Sequence, residues 1–232
     1  RLSPHLTYTS HYYNSICLNG SKCSFLFETT KFLSRIIRSD GYSADPDNVN
    51  GILEMKPPKT RRELQQCLGR YNWLRAFLSA NIGEEVAENC FSSLIKELTV
   101  LNKKNVKFSW NQVAQNAFDN MKSRLSSEKV ITFADFSQPF CLVTDASKIA
   151  CAGILLQNIN NQQKIIAVVS KTLTVTEQNW SATEREVYAI LFSIEKLDYF
   201  LKGNPFVLLT DHKSLIYMDR SVFSNAKISR WQ

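Results

Sequence analysis

From residue 140 the hydrophobic pattern changes period, and this change limits the fold more than any other feature of the chain. Three short apolar runs, at 140–143, 152–157 and 165–170, read as adjacent strands. The stretches between them, "TDASKIAC" and "NINNQQ", are turn material. The next segment, "WSATEREVYAILFSIEKLDYFLKG", has the pattern of a helix. Ser181 caps it, Glu184 closes a capping box, and Gly203 ends it. Val187, Ile190, Leu191, Ile194, Leu197 and Leu201 supply its buried stripe. A last strand, "FVLLTD", follows. The order strand, strand, strand, helix, strand predicts a mixed α/β unit.

Upstream, "KFLSRIIRSDGY" predicts a hairpin turning at Ser39-Asp40-Gly41. Asp45 is a candidate cap with Pro46 at the first helical position, and Pro57-Pro58 breaks the short helix that follows. Thr60 and Glu63 form a second T-x-x-E box. Leu64, Cys67, Leu68, Tyr71, Leu74 and Leu78 then recur at helical spacing. Arg61, Arg62, Arg70 and Arg75 decorate the rest of that helix, and charge alone reads them as a solvated basic face. "NVKFSWNQVAQNAFDNMKSRLSSE" predicts a short strand and an amphipathic helix. Val113, Ala114, Ala117, Phe118, Met121 and Leu125 share its stripe, with Trp110 as a packing anchor at the entrance.

Composition narrows the class. A length of 232 residues holds one or two domains, and 44% hydrophobic with 21% charged residues is the balance of a globular protein. No apolar run approaches the ~18–20 residues that span a bilayer, so no membrane partner is expected. The start "RLSPHLTYTS" has no apolar core segment, so no signal peptide is read and a protein that is not secreted is expected. A chain beginning at Arg1 and stopping at "SRWQ" is expected to be a fragment. The net charge of +7 favours an anionic partner, of which nucleic acid is the commonest. Six cysteines without a C-x-x-C pair leave zinc unsupported and buried thiols as the default.

Three carboxylates lie where one site is possible. Asp145 ends the run "FCLVTD" and Asp211 ends "FVLLTD". If those strands are parallel neighbours, both side chains reach one sheet edge. Glu186 sits in the first turn of the intervening helix, about 70° from the centre of its buried stripe. Glu184 competes with it but already has a capping role. Bunched carboxylates repel unless a proton or a cation relieves them, and hard divalent ions suit such oxygens. The residues alone leave the alternative open, because strand-end aspartates are commonly turn residues.

These segments carry a resemblance. "FCLVTDASKIACAGILLQ", "SKTLTVTEQNWSATEREVYAILFSIEKLDYFLKG" and "FVLLTDHKSL" resemble the RNase H domain of gypsy-type LTR-retrotransposon reverse transcriptases. "LNGSKCSF" and "KFLSRIIRSDGYSADPDNVNGILEMKPPKTRRELQQCLGRYNWLRAFL" resemble the end of the polymerase palm and the thumb. "VKFSWNQVAQNAFDNMKSRL" and "FADFSQPF" resemble the connection segment, so the likeness runs from Ile16 to Gln232. The fold class implied is α/β (α+β): a helical thumb and connection region, then an RNase H-like mixed sheet with flanking helices, truncated at its C-terminus. Residues 1–44 would be the palm remnant with the primer-grip hairpin, 45–135 the thumb and connection, and 136–232 the RNase H-like domain.

The resemblance makes Asp145, Glu186 and Asp211 the catalytic, metal-binding carboxylates, with two Mg²⁺ ions as cofactor and Mn²⁺ as substitute. It implies hydrolysis of the RNA strand of RNA–DNA hybrids. Arg61, Arg62, Arg70 and Arg75 would then hold nucleic-acid duplex by its backbone, the partners being the hybrid and a template–primer duplex. Ser147 and His212 read as residues that orient their loops. Two departures temper this. No Asp-Asp pair occurs, so the polymerase motif is expected at or before residue 1, and the family's last catalytic aspartate is expected beyond Gln232. The rest of the polyprotein, palm and fingers and an integrase, is the implied covalent partner. The competing expectation is a truncated, inactive relic that only binds nucleic acid.

Overall fold

The computed structural model of the protein describes residues 27–78, 86–88, 90–125 and 130–212. Strands β1 (Thr30–Phe32), β2 (Arg35–Arg38) and β3 (Gly41–Ala44) form an antiparallel meander, and β4 (Val130–Thr132) completes its sheet beside β3. The expected turn at Asp40-Gly41 is present. A second, unforeseen turn joins β1 to β2 through Leu33 and Ser34, at φ 45° and 60°. Paired left-handed residues match the right-handed twist of the flanking strands. Gly41 is required where β3 meets β4, because a Cβ there would collide with the Ile131 carbonyl.

Between β3 and β4 the chain is helical. Helix α1 (Pro46–Leu53) begins as expected, with the Asp45 side chain accepting from the Asp47 N–H at 3.2 Å. It ends at Leu53, before Pro57 is reached. Helix α2 (Arg61–Trp73) is capped by Thr60, but the Glu63 carboxylate accepts from the Lys59 N–H rather than closing the box on Thr60. The single helix expected through Leu78 breaks at Leu74 (φ −97°, ψ 10°), and α3 (Arg75–Leu78) follows. The predicted stripe is still buried across the break at Leu64, Cys67, Tyr71, Leu74 and Leu78, with Leu68 half-buried. Helices α4 (Phe91–Leu94), α5 (Lys96–Leu101) and α6 (Gln112–Arg124) complete the region.

Two expectations fail there. The strand predicted before α6 does not form: residues 107–110 are irregular, and the Arg61 guanidinium takes the Lys104 and Val106 carbonyls just before them. Val113 lies 54% exposed, off the stripe that Ala114, Phe118 and Met121 bury. Trp110 is the expected anchor, its indole donating to Gln115 at 2.8 Å and meeting Phe118 edge-on.

The second sheet has the order β7-β6-β5-β8. It contains β5 (Phe140–Ala146), β6 (Ala150–Ile159), β7 (Gln162–Thr172) and β8 (Phe206–Leu209). All three apolar runs form strands longer than their apolar cores. Neighbours are antiparallel except β5 and β8, which run parallel across the helical crossover. The short α7 (Val175–Gln178) precedes the crossover helix α8 (Ala182–Lys196). The helix expected to run to Gly203 breaks at Leu197 into α9 (Asp198–Leu201), and Gly203 (φ 77°) follows.

One buried cluster joins the helices to the sheet, with Tyr71, Phe77, Phe118 and Met121 continuous with Ile154 and Leu156. Among the described residues no helix is long and apolar enough to cross a membrane.

Candidate active site

The crossover from β5 through α8 to β8 places the three carboxylates. Parallel pairing sets Val143 opposite Leu209, so the two chains continuing past this pair reach the same sheet edge. Asp145 lies two residues beyond Val143, and Asp211 two beyond Leu209. Helix α8 packs tightly across this sheet at Gly153, where an added Cβ would collide with Ser193 Oγ and lie 2.7 Å from its Cβ. That close approach carries Glu186, near the N-terminal end of the same helix, down to the edge. Carboxylate oxygens of Asp145, Glu186 and Asp211 all lie within 4.8 Å of one another.

The surroundings differ at each carboxylate. Glu186 is 7% exposed; its Oε1 accepts from the Ala146 N–H at 3.0 Å, and its buried Oε2 has no partner. Burial, followed by the charge of Asp145 and then of Asp211, pushes its carboxyl up to about 7, against the opposing pull of the Ala146 N–H. Asp145 is half-buried, and its Oδ2 accepts from the Ala87 N–H at 2.7 Å. Asp211 is exposed. A cavity of about 600 Å³ opens beside them, lined by Val86, Glu88, Ser147 and Thr210 with the two aspartates. An orphaned, buried oxygen among crowded carboxylates suits a hard divalent cation, which relieves the repulsion and takes the free lone pairs.

The other predicted residues divide. Glu184 is spent on its cap, accepting from the Ser181 N–H at 2.8 Å. Ser147 orients its loop, its Oγ accepting from the Ile149 and Ala150 N–H groups at 3.1 Å each. His212 Nε2 lies 2.9 Å from Thr183 Oγ1, which ties the end of β8 to α8. Of the four arginines, Arg62 and Arg70 are exposed. Arg61 and Arg75 are half-buried, and their guanidinium groups donate to the chain's own carbonyls. Arg75 donates to the Ser170 carbonyl at 2.8 Å and lies over the Phe91 ring, so burial pulls its pKa down. Sequence reasoning missed Ala87 and Ala146, because a backbone N–H leaves no side-chain signature.

Fold and site define an RNase H-like sheet with an acidic centre at one edge, and known proteins agree. Residues 135–232 match the RNase H-like domain found in reverse transcriptase. The retrovirus-related Pol polyprotein from transposon opus of Drosophila melanogaster is 32% identical over 218 residues, which are 93% of this chain and 22% of that protein. The chain thus spans about a fifth of that relative's length. The foamy viral protease–reverse transcriptase has the same fold. Its dRH form, bound to double-stranded DNA, aligns with 89% of this chain and 36% of its own at a TM-score of 0.71 and 20% identity. Bound to an RNA/DNA hybrid, it aligns with 91% and 28% at 0.66 and 22% identity. Residues 135–232 are thus an RNase H-like domain of the kind found in reverse transcriptase, and 93% of the chain is similar to one stretch of a retroelement Pol polyprotein.

Proposed function

We propose that this chain is the ribonuclease H-bearing part of a retroelement reverse transcriptase, cleaving the RNA strand of RNA–DNA hybrids at Asp145, Glu186 and Asp211. The observation that carries the proposal is the convergence of three carboxylates within 4.8 Å, one with a buried, unpartnered oxygen. Divalent cations, two Mg²⁺ in this reading with Mn²⁺ as substitute, would activate a water and stabilise the leaving oxygen of the phosphodiester.

The residues themselves prepare the site. The Ala146 N–H orients Glu186 and occupies Oε1, leaving Oε2 for a cation. Burial keeps that carboxylate from exchanging its ligand with bulk water, and the exposed Asp211 leaves the edge open to substrate. The hybrid and the template–primer duplex are the proposed partners, held through phosphates by Arg62 and Arg70 on α2. An open groove between the β1–β2 turn, α1 and α2 supports this reading, lined by Ser34, Gly51, Gly69, Arg70 and Trp73, with its carboxylate, Asp47, ion-paired to Lys31. Nothing stands within 4 Å of the Cβ position at either glycine, so a sugar–phosphate backbone has room to approach. Palm, fingers and an integrase would complete the parent polyprotein, which would work inside the cell.

A labelled RNA–DNA hybrid tests the proposal. Cleavage that needs Mg²⁺ or Mn²⁺ and is lost in Asp145→Asn supports it. Salt-sensitive binding without metal-dependent cleavage favours the inactive, duplex-binding relic instead.

A further inference from the structure

We infer that the turn Val86–Glu88, ahead of α4, is a positioning element of the acidic centre: the Ala87 peptide sets the orientation in which Asp145 receives a cation. The inference rests on reading Asp145 as a cation ligand. Its primary observation is the 2.7 Å bond from the Ala87 N–H to Asp145 Oδ2, at the short end for an amide donor on a carboxylate. The donor comes from 58 residues upstream, outside the sheet that carries Asp145.

The donor is itself held from behind. The Ala87 carbonyl accepts from Ser93 Oγ at 2.6 Å and from Cys90 Sγ at 3.0 Å, both at the start of α4. Ala87 is fully buried and Cys90 is 1% exposed, so the Cys90 bond is shielded from water, while Ser93 is half-buried. Helix α4 is in turn pinned to the edge strand β7. Ser92 Oγ lies 3.0 Å from Ser170 Oγ, and Thr172 Oγ1 donates to the Ser92 carbonyl at 3.1 Å. A continuous line of bonds therefore runs from β7 through α4 and Ala87 to Asp145.

Asp145 and Glu186 are consequently treated alike. Each has one oxygen fixed by a peptide N–H, which leaves the other for a metal. The difference is the source: Ala146 belongs to β5 itself, whereas Ala87 belongs to the connecting region. Outer partners of this kind cost about 10–100-fold in metal affinity when removed, because the ligand must then be ordered at the moment of binding.

Titration of the whole chain with Mn²⁺, read by electron paramagnetic resonance without substrate, tests the inference. Ala87→Pro removes the donor, Ala87→Gly keeps it, and Ser93→Ala loosens its support. The expected result is a loss of about tenfold in Mn²⁺ affinity for Ala87→Pro, a smaller loss for Ser93→Ala, and near wild-type affinity for Ala87→Gly, at unchanged melting temperature. Equal or tighter binding by Ala87→Pro overturns the inference, the tighter result meaning that Ala87 obstructs the metal. If Ala87→Pro does not fold, Ser93→Ala decides, and wild-type affinity there overturns the inference. Asp145→Asn separates the two layers. Wild-type binding that survives in Asp145→Asn defeats the reading of Asp145 as a ligand, whatever the Ala87 variants do.

Discussion

Glu186 must carry a negative charge where the fold makes that charge costly. Its carboxyl is raised from 4.5 to about 7 by burial and by Asp145 and Asp211, so the folded chain binds this proton more tightly than the unfolded one. Stability from this group is fully present below pH 4.5 and is lost as the pH rises through about 7. The loss amounts to about 3 kcal/mol at most. Glu186→Gln should therefore raise the metal-free melting temperature at pH 8 and leave it nearly unchanged at pH 4.5, as followed by circular dichroism. A divalent cation reverses the penalty, so added Mg²⁺ should stabilise the wild type more at pH 8 than at pH 5.5. Equal shifts at both pH values would detach Glu186 from the metal. The carboxylates were legible because each stands at a recognisable exit, Asp145 and Asp211 after apolar runs and Glu186 after a capping box. The contacts that orient them were not, since they come from the peptides of Ala87 and Ala146.

At the scale of elements, the site depends on how closely α8 lies on the sheet. Gly153→Ala should push the helix outward, costing about 1–3 kcal/mol and loosening Glu186. Gly153→Ala/Ser193→Gly should recover most of that loss, because Ser193 is the side chain in the way. Urea melts measure the first effect and Mn²⁺ affinity the second. Helix α2 and the short α3 after it divide their arginines by function. Arg75→Ala should lower stability by about 1.5–3 kcal/mol, since its guanidinium bridges α3 to the Ser170 carbonyl. Arg62→Ala and Arg70→Ala should change stability by less than about 0.5 kcal/mol. Each should instead weaken duplex binding and reduce the salt slope by about one. A helical wheel cannot make this division, because it shows which face a residue occupies and not which carbonyl waits there. Breaks at Leu74 and Leu197 were hidden for a related reason. The apolar spacing continues across both, and only tertiary packing turns the chain.

As a whole molecule, the chain shares one buried cluster between its helical region and its RNase H-like sheet. Strand β4 returns from beyond α6 to pair with β3, closing the helices into a loop between two strands of the first sheet. Sequence patterning showed the succession of strands and helix that forms the second sheet, and left the parallel pairing of β5 with β8 as a condition that the structure meets. It did not show the pairing of β3 with β4, whose partners are about ninety residues apart and short. The net charge of +7 belongs to this scale too, and it favours an anionic partner, such as the phosphates proposed for Arg62 and Arg70. Strands β5 and β8 and helix α8 are proposed to build one cation centre from Asp145, Glu186 and Asp211. A crystal of the chain grown with Mn²⁺ and measured at the manganese absorption edge tests that claim most directly. An anomalous peak is expected among these three carboxylates, with Glu186 Oε2 as a ligand; a peak elsewhere, or none at saturating Mn²⁺, would mean that they form no cation site.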